Sequence, residues 1–99
     1  MIDRQGSRIA IKGSVNFGNV TKVIAKGLSE IESGASEIDL SKLESADSSA
    51  VSMMLEWLRA AKKRNRNLSF HNMSPDLQSL VRLYGLSGIF LAGESGVKE

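Results

Sequence analysis

The sequence predicts an α/β fold, a single layer of about four strands covered by helices. Three observations carry this. Apolar and polar residues alternate with period two in short runs around Ile9–Ile11, Ile38–Leu40 and Leu68–Phe70. Between these runs, apolar residues recur at three- and four-residue spacing, the period of an amphipathic helix. The connections are short, and strands that alternate with helices pair through crossovers.

The elements follow in order. Residues 7–15 read as a strand, with Ile9 and Ile11 alternating with Ala10 and Lys12, and residues 16–19 carry loop signals. From Val20 the period changes. Val20, Val23, Ile24, Gly27, Leu28 and Ile31 share one helical face and Lys22, Lys26, Ser29 and Glu30 the other, which predicts a helix over 20–33 closed by Gly34. Residues 37–40 form a short strand with Ile38 and Leu40 on one side. The longest periodic run predicts a helix over 49–64, and Asn65-Arg66-Asn67 is a turn. Leu68 and Phe70 alternate with Ser69 and His71 in another strand. Ser74-Pro75-Asp76 starts a helix over 75–84: Ser is a good N-cap, Pro suits the first helical position, and Asp complements the positive end. Leu77, Leu80, Val81 and Tyr84 are its apolar stripe and Gly85 stops it. Ile89-Phe90-Leu91 suggests a last short strand, and 92–99 a loose polar tail.

Composition bounds the function. Ninety-nine residues suit one domain over 1–99, with a core of modest size. With no cysteine, neither a disulfide framework nor a zinc-finger cluster is available. A net charge of +2 is too weak to argue for nucleic acid. No run is long and apolar enough to span a membrane, and the first residues lack the apolar stretch of a signal peptide. These features lead us to expect a cytoplasmic domain. The sole histidine, His71, has no cysteine or second histidine for a metal site, and no nucleophile–base pair is evident. The phosphate-loop and dinucleotide-binding patterns are absent. The chain does not read as an enzyme, and no cofactor or metal is expected.

The small polar segment Ala46-Asp47-Ser48-Ser49-Ala50, placed where a strand gives way to the longest helix, is the candidate site. Asp47 or Ser48 is a natural cap, and the first N–H groups of the helix, around Ser49 and Ala50, have no partner within it. Such an end either simply caps itself or holds an anion. On a helical wheel Val51, Met54, Leu55 and Leu58 form the expected core stripe, and Ser52, Glu56, Arg59 and Lys63 the wet side. Ser49, Met53, Trp57, Ala60 and Arg64 form a third stripe. Met53 and Trp57 either pack against a neighbouring helix or stand exposed for a partner. The basic run at 62–66 either complements the helix end or contacts lipid phosphate or an acidic partner.

The order of elements, together with "ESADSSAVSMMLEWLRAAKKRNRNLSF" and the ending "LVRLYGLSGIF", resembles the STAS domain over about residues 8–91. Ile38-Asp39-Leu40-Ser41, Asp47-Ser48-Ser49 and Leu83-Tyr84-Gly85-Leu86 are the most specific parts. The Trp-Leu-Arg-Ala-Ala run and the Leu-Tyr-Gly-Leu ending are most similar to the MlaB branch of that family. The resemblance implies a mixed sheet. It also implies a non-catalytic subunit that docks on the ABC ATPase subunit of a phospholipid transporter, at the cytoplasmic side of the inner membrane. It supports assembly and activity in outer-membrane lipid asymmetry. The alternative is an anti-sigma factor antagonist whose partner is an anti-sigma factor kinase and whose switch is serine phosphorylation. The implied partner-binding residues are Asp47, Ser48 and Ser49, with Met53 and Trp57 beside them. The key hydroxyl is Ser48 in the MlaB branch, and the phosphorylated position of the antagonists falls on Ser49. A glycine commonly follows the hydroxyl pair; here Ala50 stands, and its methyl is expected to narrow a partner's approach.

Overall fold

In the computed structural model, which describes residues 1–90, the elements are β1 (Ile2–Gln5), β2 (Arg8–Ile11), β3 (Gly13–Val15), α1 (Val20–Glu32), β4 (Glu37–Asp39), β5 (Leu43–Ala46), α2 (Ser49–Lys63), β6 (Ser69–His71), α3 (Pro75–Leu83) and α4 (Ser87–Phe90). Four strands make a mixed sheet in the order β1-β2-β4-β6. β1 runs antiparallel to β2, while β2, β4 and β6 are parallel. The register sets Ile9, Ile38 and Phe70 abreast, and all three are buried. The alternate positions turn the other way. There Arg8 bridges Glu37 at 2.8 Å and Asp39 at 3.7 Å, and the His71 ring lies 3.0 Å from the Ser69 hydroxyl. His71 is thus part of a polar sheet face.

The predicted strand over 7–15 is two strands. The chain bends at Gly13, whose φ of +85° only glycine adopts freely, and β3 leaves the main sheet to pair in parallel with β5 across a register shift. β1 and β5 carried no periodic signal. In β1 only Ile2 is partly buried, and the charges of Asp3 and Arg4 suit a sheet edge. In β5 only Leu43 and Ala46 are partly buried. Ile89 and Phe90 are not in a strand. They belong to the single turn α4, whose N–H groups donate back to the Leu86 carbonyl, and Phe90 stacks edge-on against Phe70 at 5.3 Å. Leu91 and the tail at 92–99 lie outside the described residues.

The helix ends follow the expected chemistry. Ser74 accepts from the Leu77 N–H at 3.2 Å, with Pro75 next to it. α1, α2 and α3 each close with the same paired bonds, through Gly34, Asn65 and Gly85 in the left-handed region. Two arginines from elsewhere complete the negative end of α1. Arg4 donates to the Glu30 carbonyl and pairs with the Glu30 carboxylate at 2.9 Å, and Arg66 donates to the Ile31 carbonyl. Arg64 pairs with Glu32 at 3.2 Å, so part of the basic run at 62–66 is engaged within the fold.

The face α2 buries differs from the expected one. Ser49, Ala50, Val51, Met53, Met54, Trp57 and Ala61 are buried, while Leu55 and Leu58 are only half-buried. Trp57 decides this. Its indole is 0% exposed, its Nε1–H donates to the Ile24 carbonyl of α1 at 3.0 Å, and its ring lies over Gly27. The largest side chain of the helix takes the interhelical contact, and Met53 follows it inward. Met53 and Trp57 therefore form no exposed partner surface; they are core.

A Cβ built on Gly27 falls far inside van der Waals contact of the Trp57 ring. Gly27→Ala should therefore lower stability by about 1–3 kcal/mol, although alanine is the better helix former. Urea unfolding measures this; a variant as stable as the parent would mean that the helices part without cost.

Candidate functional site

β5 delivers the chain to the start of α2. The Asp47 N–H donates to the Val15 carbonyl of β3 at 3.3 Å, which fixes the carboxylate between β3 and α2. That carboxylate accepts the Ser49 N–H at 2.9 Å and the Ser49 hydroxyl. The Phe17 N–H, in the loop after β3, also favours its ionised form. The Ser49 hydroxyl is the main reason that the Asp47 carboxyl sits below the usual aspartate value; partial loss of hydration works the other way, and the Ser49 and Phe17 N–H groups add to the lowering. Ala50 and Val51 then donate to the Asp47 and Ser48 carbonyls. The positive end of α2 already has its anion, and the anion is Asp47.

The two serines differ. Ser49 is 3% exposed and its hydroxyl is spent on Asp47. Ser48 is the N-cap by position, yet its side chain makes no capping bond. It lines an open cleft of about 460 Å³ with Phe17, Val51, Ser52, Leu55, Tyr84 and Leu86. Ala50 is fully buried, so its methyl faces the core and does not narrow access to Ser48. Of the residues expected at a partner surface, Ser48 lines the cleft, Asp47 stands next to it in the chain with its carboxylate turned to Ser49, and Ser49, Met53 and Trp57 turn inward.

Phe17 and Tyr84 were not singled out from sequence as site residues, and both stand out in the structure. Phe17 is 73% exposed and Tyr84 52%. Their signals were present: an aromatic in a four-residue loop, and an aromatic at the end of a helix. The loop around Phe17 is braced. The Asn16 side-chain oxygen accepts from the Gly18 and Asn19 N–H groups at 2.8 and 3.2 Å, and Asn19 bonds back to the Asn16 N–H and to the Ser14 carbonyl.

A lowered carboxyl value has a defined sign. Stability from ionised Asp47 is fully present above the ordinary aspartate value of 3.8 and is lost as pH falls through the lower folded value. Asp47→Asn should melt below the parent at pH 7, and the gap should close on acidification below 3.8. Melting curves at both ends of that range test this; a constant gap would assign no role to the charge.

The comparisons with known proteins bear on the same elements. A family model described as "Mlab, STAS domain" matches residues 1–92. A solved structure described as the anti-sigma factor antagonist SpoIIAA in its unphosphorylated form aligns over 100% of this chain and 98% of its own, with 19% identity and a TM-score of 0.71. One described as the Bacillus cell fate determinant SpoIIAA in the phosphorylated form aligns over 92% of this chain and 87% of its own, with 22% identity and a TM-score of 0.66. No curated protein sequence matches the chain. The likeness to the solved structures is one of fold: a mixed four-stranded sheet with helices. Together with the family match over nearly the whole length, it leads to one conclusion: the chain belongs to the STAS domain family.

Proposed function

We propose that the chain is a non-catalytic binding subunit of a phospholipid-transport ABC complex, docking on the ATPase subunit through the start of α2. In this reading it supports assembly and activity of the transporter and reaches the inner membrane only through its partner. It works from the cytoplasmic side. The observation that carries the reading is the contrast at α2: Ser48 is offered to a cleft while its neighbour is closed off. A hydroxyl that makes no capping bond, set in a largely apolar cleft, suits a protein interface. The family description supports the MlaB-type partner. No helix among the described residues is long and apolar enough to cross a membrane.

The second reading is an anti-sigma factor antagonist switched by phosphorylation, supported by the fold shared with SpoIIAA. Ser49 would be its target. A phosphate there adds roughly two negative charges directly against the Asp47 carboxylate, on a hydroxyl buried in the fold. That environment favours the docking reading.

The two readings separate in one set of measurements. Ser48→Asp should weaken co-purification with the ABC ATPase subunit by about a hundredfold or more, because a charge without a counter-charge is costly in a covered site. The isolated domain should keep its melting temperature, since an acid at a helix start is tolerated in water. Arg59→Ala, on the wet side of α2, should bind as the parent does. Intact-mass measurement of the native protein should find the serines mostly unmodified. A dominant species heavier by one phosphate would support the antagonist reading instead.

A further inference from the structure

We propose that the cleft beside Ser48 receives an uncharged, apolar segment of the ATPase subunit, and that Phe17 and Tyr84 are the anchors that select it. This rests on the reading above and adds the chemistry of the contact. None of the described residues lining the cleft carries a charge. The charges on the same elements lie outside this lining: Asp47 is turned to the Ser49 N–H and hydroxyl, Glu56 pairs with Arg59 at 3.2 Å, and Arg82 bonds the Gln78 amide oxygen at 3.3 Å. A charged side chain seated here would lose its water and meet no counter-charge among the lining residues. The polar groups the cleft does offer are the hydroxyls of Ser48, Ser52 and Tyr84, each able to donate and accept. Covering them requires neutral hydrogen-bonding groups on the other side, such as amides or hydroxyls. The complementary surface is therefore apolar, neutral and sparsely polar.

Phe17 has the character of an anchor because its exposure is built in. The loop that holds it is closed by side-chain bonds from Asn16 and Asn19. An exposed aromatic on a braced loop spares the backbone ordering cost on binding, so more of its buried area converts into affinity. Tyr84 is held at the close of α3, where its N–H donates to the Leu80 carbonyl. Neither belongs to the buried core, and both are more exposed than covered, so truncation should cost little stability.

The test is calorimetric titration of the full chain with the purified ATPase subunit at low and high sodium chloride. Phe17→Ala and Tyr84→Ala should each weaken binding by about thirtyfold with melting temperatures unchanged. The parent's dissociation constant should shift by less than about threefold between the two salt concentrations, because no exposed ion pair is made. Tight binding in both variants, or a steep salt dependence, overturns the inference and leaves the docking reading standing. No binding by the parent overturns both. A concentration-dependent dimer of the chain alone, abolished in Phe17→Ala, would give the cleft to a second copy and also overturn the inference.

Discussion

The indole of Trp57 determines which way α2 faces. Gly27 leaves a gap in α1, the ring fills it, and the Ile24 carbonyl takes the indole N–H. A fully buried tryptophan needs both a space and a hydrogen-bond acceptor, and α1 supplies both within one turn. Once the ring is seated, the rotation of α2 is fixed. Ser49 and Met53, on the same stripe, turn inward with it. Val51 and Leu55 are carried to the border of the core, and Ser48 and Ser52 to the surface beside them. The cleft is a consequence of a packing choice made two turns away.

Asp47 then converts that rotation into a shaped surface. Its carboxylate holds the first turn of α2, and its backbone joins that turn to β3, which leads into the loop carrying Phe17. A helix start normally leaves N–H groups for water or a ligand. Here an internal carboxylate holds the Ser49 N–H. This is why the end of α2 is a poor anion site despite its dipole.

Much of the fold was legible from sequence because it rests on local rules. The three long helices, the strands at 37–39 and 69–71, and the stops at Gly34 and Gly85 all follow from periodicity and capping. β1 and β5 were not legible, since a polar edge strand and a strand with two half-buried residues carry no period-two signal. α4 was misread as a strand because three apolar residues in a row do not distinguish the two. The candidate site was half legible. The Asp-Ser-Ser segment identified the place, but the wheel cannot say which of two apolar stripes faces the sheet. That depends on Gly27, a residue more than twenty positions away. Phe17 was missed for the same reason: only the tertiary fold, which sets it in one cleft with Tyr84 and Ser48, makes a loop aromatic part of a surface.

The consecutive serines show how narrow the distinction is. One step along a helix turns a side chain by roughly 100°, enough to move a hydroxyl from core to cleft. At Ser49 that step places the hydroxyl against a carboxylate, where it is satisfied and where added negative charge is opposed. At Ser48 it places a chemically identical group among Val51, Leu55 and Phe17, where nothing within the chain takes up its side chain at the cap. A helix cap alone would be served by either residue, and Asp47 already serves it. The second hydroxyl is not needed for the cap. Set in a cleft of uncharged lining beside an exposed aromatic on a braced loop, it is the group on which the proposed docking surface turns.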